Sequence, residues 1–126
     1  MQKAEKAFDQ YAESYDSEFT YSAIGKLQRR RVWKFLSRNI SHLTHPDVLE
    51  LNCGTGEDAL WFCRNGFQVT ATDFSNEMVK VAKEKLKETT SKILQAEIAE
   101  IGSRLTNKKF DLIFSDFGGL NCIDPI

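Results

Sequence analysis

Apolar and polar positions along this 126-residue chain switch period several times, from helical to alternating and back. Over residues 4–40 the apolar and aromatic positions recur at helical spacing. They fall at Phe8, Tyr11, Ala12 and Tyr15, then at Ile24, Leu27, Val32, Phe35 and Leu36. Gly25 and the stretch 15–22 are the candidate breaks that would divide this segment into two helices. His45-Pro46-Asp47 marks a turn, and residues 48–51 read as a first strand. Residues 57–64 read as a helix stopped by Asn65-Gly66. Residues 67–72, with Phe67, Val69 and Ala71 alternating, predict a second strand. Ser75 is a good N-cap for a helix that starts around Glu77-Met78-Val79 and ends near Glu88. Residues 92–95 predict a third strand, 98–105 a short helix, and 110–115 a fourth strand, with Phe117-Gly118-Gly119 opening a loop. Strands alternating with helices predict parallel β-α-β units with right-handed crossovers. Apolar runs such as Leu112-Ile113-Phe114 suit strands covered on both faces.

The junction between the first strand and its helix carries the chemistry. There Val48-Leu49-Glu50-Leu51 runs into Asn52-Cys53-Gly54-Thr55-Gly56 and then directly into Glu57-Asp58-Ala59-Leu60. Such a layout gathers backbone N–H groups at a helix N-terminus, which favours an anionic or polar ligand edge. The glycines let the chain turn tightly and let a ligand approach the backbone. Asp73 follows the second strand, where a carboxylate can accept hydrogen bonds from a ribose. These residues predict a site for a nucleoside cofactor.

Composition narrows the setting. The chain is long enough for one domain with a modest core. Its net charge of −1 gives no global attraction to nucleic acid or to an anionic membrane. A basic run, Arg29-Arg30-Arg31 with Lys26, Lys34 and Arg38 nearby, reads as a solvated helix face. Cys53, Cys63 and Cys122 are scattered, with no C-x-x-C pair, and His42 and His45 have no cysteine beside them. Neither a disulfide framework nor a zinc site is predicted, and a reducing cytoplasmic setting fits. The polar start is no signal peptide, and no apolar run approaches membrane-spanning length. His42 and His45 read as part of the turn before the first strand, and Trp33 and Trp61 as core or interface anchors.

Two cofactor classes fit the glycine turn at first sight. Gly54-x-Gly56-x-x-Ala59 satisfies the dinucleotide fingerprint, with Asp73 at a plausible distance. Three features oppose NAD. Glu50 puts a charge near the end of a strand that is usually apolar up to its first glycine. Some forty-five residues precede that strand. Asp73-Phe74-Ser75-x-Glu77-Met78 also brings together an acid, a cap and a methionine, which suits a ribose clamp with an apolar adenine wall.

These motifs resemble those of class I S-adenosylmethionine-dependent methyltransferases of the small-molecule type. The resembling segments are Glu50-Leu51-Asn52-Cys53-Gly54-Thr55-Gly56, Asp73-Phe74-Ser75-Asn76-Glu77-Met78, Gln95-Ala96-Glu97-Ile98 and Phe110-Asp111-Leu112-Ile113-Phe114-Ser115. The opening Phe8-Asp9-x-Tyr11-Ala12-x-x-Tyr15-Asp16 resembles the N-terminal segment of ubiquinone-biosynthesis-like and glycine/sarcosine-type members. The resemblance covers nearly the whole chain, in order. It implies an α/β, doubly wound Rossmann-like fold with a mostly parallel sheet in the order 3-2-1-4. An N-terminal helical cap (1–45) would precede a β/α core (46–126) within a single domain.

The resemblance also implies roles. Cys53, Gly54, Thr55 and Gly56 would line the methionine part of S-adenosyl-L-methionine, and Glu50 would support the turn. Asp73 would accept the ribose hydroxyls, and Phe74 and Met78 would contact the adenine. Glu97 would accept the adenine amino group, with Ile98 over the ring. Ser115 would face the methyl end, and Tyr15, with Tyr11 as a second candidate, would close the site. The acceptor would be a small molecule. Ser115-Asp116-Phe117-Gly118 lacks the Pro-Pro-aromatic motif of nucleic-acid amino methyltransferases. No metal ligand and no catalytic base is predicted, because displacement at an activated sulfonium carbon chiefly needs alignment.

The chain departs from the family pattern in three places. Asn52 replaces the usual first glycine, a position where asparagine tolerates a left-handed backbone better than most residues. Glu97 stands where aspartate is usual. The sequence also stops just after the fourth of the family's seven strands, so the chain reads as truncated, with a non-catalytic cofactor-binding module as the alternative to an active enzyme and an NAD-dependent fragment as a third. An apolar fourth strand left at an edge invites pairing, so a homodimer through that strand or the N-terminal helices is expected.

Overall fold

Four parallel strands organise the molecule in the order β3-β2-β1-β4. They are β1 (Asp47–Leu51), β2 (Gln68–Asp73), β3 (Lys92–Gln95) and β4 (Leu112–Ser115). The helices between and before them are α1 (Ala23–Ile40), α2 (Glu57–Arg64), α3 (Asn76–Lys85) and α4 (Ile98–Arg104), with a π-helical turn at Asp16–Thr20. The computed structural model describes residues 12, 14–105 and 107–115, apart from the side chain of Phe19. Phe8, Asp9, Tyr11, Cys122 and the expected loop at Phe117-Gly118-Gly119 lie outside the described residues.

The expected sheet order holds, and the register explains why the strands are apolar on both sides. Val48 and Leu49 point to opposite faces and enter two separate clusters. The larger cluster joins α1, α2 and α3 to the sheet through Leu36, Phe62, Val79 and Leu86. The smaller one packs Ile101 of α4 on Leu49 and Ala96. Phe62 is completely buried and meets Phe67 and Phe114 at ring separations of 5.1 and 5.3 Å. Burial of a side chain this size stabilises the fold by roughly 1.5–3 kcal/mol.

Local signals place the element ends. Ser22 caps α1 by accepting from the Gly25 amide, so the break falls within 15–22, and Gly25 is simply buried in the first turn. Ser75 caps α3, accepting from the Met78 amide. Gly66, at φ 85°, ends α2 as expected. β2 runs one residue later than the alternation predicts, because Val69 to Asp73 are all buried and no half-exposed face exists to set a period of two. α3 stops at Lys85, short of Glu88, with the Leu86 amide closing on Ala82. β4 begins at Leu112. The preceding Asp111 clasps Asp47 instead, its carboxylate accepting from the Asp47 amide at 2.8 Å.

The two tryptophans are anchors between α1 and α2. Their rings stack 5.6 Å apart and nearly parallel. Trp33 Nε1 donates to Asp58 at 2.8 Å, and the same carboxylate salt-bridges Arg29 at 3.4 Å. Arg29 and Asp58 are both buried, so one member of the basic run is a structural strut and not part of a solvated face. No described helix is long and apolar enough to cross a membrane.

Candidate functional site

The strand order reverses between β1 and β4, and open parallel sheets bind ligands outside the carboxyl ends of the strands at such a point. There the chain leaves β1 through three residues with positive φ, Asn52 at 56°, Gly54 at 57° and Gly56 at 89°. Asparagine therefore does take the left-handed conformation that the usual glycine would take. Its side-chain Nδ2 is buried and has no hydrogen-bond acceptor among the described residues. The two glycines do different work. A Cβ on Gly56 would lie 2.9 Å from Leu86 Cδ1 and 3.1 Å from Ala82 Cβ, so this glycine lets α3 pack against the turn. A Cβ on Gly54 would meet nothing within 4 Å, so that backbone faces open space.

Asp73 holds the turn in place. Its carboxylate accepts from the Gly54 amide at 2.8 Å and from the Ser75 amide at 2.9 Å. The Cys53 amide also donates to the Thr72 carbonyl at 2.8 Å. Asp73 thus ties the two strand ends together. Glu50 lies beneath the turn and is 1% exposed. Burial, aided by the negative charges of Glu50 and Asp73, pushes the Cys53 thiol well above its ordinary pKa, so Cys53 is an inert thiol.

The remaining expected residues divide. Ser115 pairs with Leu51 across the β1–β4 ladder, which sets it beside Asn52 at the same strand ends. Phe74 is buried next to Asp73, and Gln95 Nε2 donates to its carbonyl at 3.2 Å. Met78 is 1% exposed and presents no free surface. Glu97 sits at the N-cap of α4, where its side chain accepts from the Glu100 backbone and Glu100 Oε1 accepts from the Glu97 amide at 2.8 Å. Its carboxylate is engaged in that reciprocal cap. Ile98 packs against the smaller cluster.

Tyr15 precedes the π-helical turn, and its neighbour Asp16 reaches the glycine turn. Asp16 accepts from the Thr55 hydroxyl and salt-bridges Lys85 Nζ at 2.7 Å. Lys85 also meets Thr55 Oγ1 at 3.2 Å and Glu57 at 3.1 Å. Burial alone would raise the Asp16 carboxyl. Hydrogen bonds from Lys85, Thr55 and Thr20 outweigh it and hold the group below its usual pKa. Lys85 is the contributor that sequence reasoning misses. It lies thirty positions beyond Thr55, and only the α3–turn packing at Gly56 brings it there. Asp16 was visible in the opening motif, without a role. Among the described residues no cluster of histidine, cysteine or carboxylates could hold a metal ion.

A parallel sheet with a left-handed glycine turn and a strand-end acid defines a nucleoside-cofactor class of α/β protein. The sequence pattern of the family described as "Methyltransferase domain" matches residues 48–125, and the chain belongs to that family. It is 28% identical over 117 residues to malonyl-[acyl-carrier protein] O-methyltransferase of Priestia megaterium, covering 91% of this chain and 40% of that protein. It is 32% identical over 119 residues to demethylmenaquinone methyltransferase of Leptospira interrogans, covering 88% of this chain and 47% of that one. The chain thus spans less than half the length of these relatives. Among solved structures it resembles magnesium protoporphyrin IX methyltransferase from Synechocystis PCC 6803 with bound SAM. The TM-score is 0.61 and the identity 22%, over 73% of this chain and 44% of that one, a likeness of fold.

Proposed function

We propose that this chain is the cofactor-binding part of an S-adenosylmethionine-dependent methyltransferase acting on a small-molecule acceptor. The observation that carries the reading is the turn 52–56, held in a left-handed conformation by Asp73 at the switch point of the sheet. The residues present fit the cofactor. Gly54 offers backbone across open space, Asn52 brings an unspent buried amide donor, and Asp73 would accept the ribose hydroxyls from the end of β2 beside the turn. Asn52, Cys53, Gly54, Thr55 and Gly56 would hold the amino-acid end of the cofactor. Phe74 and Met78 would back the adenine, Ser115 would flank the methyl end, and Tyr15 would close the N-terminal side. Glu50 would act from below, supporting the turn. Glu97 and Ile98, at the start of α4, would contact the adenine. When bound, the cofactor supplies the activated methyl group. The chain's own contribution is to orient it and to keep the turn rigid.

The likeness to methyltransferases of an acyl-carrier-bound malonyl group and of a demethylmenaquinone supports a non-nucleic-acid acceptor. The chain spans 40–47% of these relatives' lengths, and the activity proposed is that of the protein to which this cofactor-binding part belongs. Free thiols at Cys53 and Cys63 support a reducing, cytoplasmic setting.

Calorimetric titration with S-adenosylmethionine, its demethylated product and NAD tests the reading. Saturable binding of the two sulfur ligands and none of NAD is expected. Heat from NAD alone would overturn it. Release of label from methyl-labelled cofactor into small acceptors then separates enzyme from binding module.

A further inference from the structure

Charge in this chain is segregated in a way its net value of −1 conceals. Residues 19–46 hold six of the 17 Lys and Arg and none of the 18 Asp and Glu. α1 lies inside this segment and contains no acidic residue over its 18 residues, roughly 27 Å of helix. Its inner face is spent on the fold through Gly25, Arg29 and Leu36. On the opposite face, within an arc of about 100°, stand Ile24, Leu27, Arg31, Lys34, Phe35 and Arg38. Ile24, Leu27 and Phe35 are 68, 54 and 65% exposed, three of the most exposed large apolar side chains described. Arg31, Lys34 and Arg38 are exposed and make no ion pair among the described residues.

We propose that the outer face of α1 docks on an anionic lipid surface. Interleaved cations and apolar side chains on one convex ridge match an interface that offers phosphate and hydrocarbon everywhere at nearly the same depth. The long cationic stems rise to the headgroups while Ile24, Leu27 and Phe35 enter the acyl boundary. A second copy is disfavoured there, because pairing α1 with α1 sets like charges against each other. A nucleic acid would match the cations and leave three apolar side chains facing a polar backbone. A protein partner would have to bring an acidic groove shaped to a ridge. This is attachment to a surface, not insertion across it, and it does not depend on the cofactor.

Co-sedimentation of the chain with phosphatidylcholine vesicles, with and without phosphatidylglycerol, tests the proposal. Binding to the anionic vesicles alone, weakening as salt rises, is expected. Arg31→Glu with Arg38→Glu should lower partitioning at least about tenfold, since each cation near such a surface contributes independently. Phe35→Ser should lower the part of the binding that survives high salt. Lys83→Glu with Lys109→Glu, exposed elsewhere, should change partitioning by less than either. Circular dichroism of each variant confirms the fold. No sedimentation, equal binding to neutral vesicles, equal loss in the Lys83/Lys109 variant, or polyglutamate capture as strong as vesicle capture and indifferent to Phe35→Ser would each overturn the proposal.

Discussion

Alanine at Gly56 and at Gly54 is the same substitution two residues apart, yet the structure assigns the two variants different defects. Both glycines have positive φ, so each variant incurs the cost of a left-handed L residue, roughly 1–2 kcal/mol. At Gly56 the new methyl also meets Leu86 Cδ1 at 2.9 Å and Ala82 Cβ at 3.1 Å. Leu86 can turn its side-chain end away, but Ala82 is fixed to the α3 backbone, so the lower part of the usual overpacking range applies, about 1–2 kcal/mol. Gly56→Ala should therefore lose about 2–4 kcal/mol in urea unfolding, and Gly54→Ala only the first 1–2. In calorimetry the order reverses. Under conditions where both variants are folded, Gly54→Ala should lose more S-adenosylmethionine affinity, because its methyl enters the open space before the turn. Equal stability losses would refute the packing role of Gly56. Unchanged cofactor affinity in Gly54→Ala would refute the placement of ligand over Gly54.

Asp58→Ala removes the carboxylate that Trp33 Nε1 and buried Arg29 share, and should cost about 3–5 kcal/mol in denaturant unfolding; a loss below about 1 kcal/mol would show that the strut between α1 and α2 is idle. Asp16 has a folded pKa below its ordinary 3.8, so its ion pair adds stability that is present above that value and disappears as pH falls through the lowered folded one. Measured against Asp16→Asn, the wild-type advantage should be constant near neutrality and vanish in strong acid; an advantage that persists there would mean that the Lys85 pairing does not lower this group. Lys85→Met should weaken the same advantage at neutral pH, since Lys85 is Asp16's cationic partner, and urea titration of the double variant reads the coupling directly.

Much of this fold is legible in the sequence because its signals are local. Ser75 as a cap, Gly66 as a stop and the alternation of short apolar runs with helical periods each act within a few residues, whereas the sheet order rested on the family resemblance. The turn 52–56 was readable for the same reason. Strand limits were less so where both faces are buried, as in β2, because no period survives. The site's long-range partners were not readable at all. Lys85 reaches Asp16 and Thr55 only through the close approach that Gly56 permits, and Arg29 is drawn out of an exposed-looking basic run by Asp58. Glu97 shows the converse case. Its sequence position suggests an adenine contact, and the structure adds a second, local role for it in the reciprocal cap with Glu100.

The most direct test of the cofactor site is an amide NMR spectrum recorded as S-adenosylmethionine is added. The Asn52, Gly54 and Thr55 amides, with Phe74 and Ser75 beyond Asp73, should shift progressively and saturate together, while amides of α2 past its first turn stay in place. Shifts confined to β3 and α4, or a spectrum unchanged at cofactor excess, would contradict a site built on the turn and Asp73.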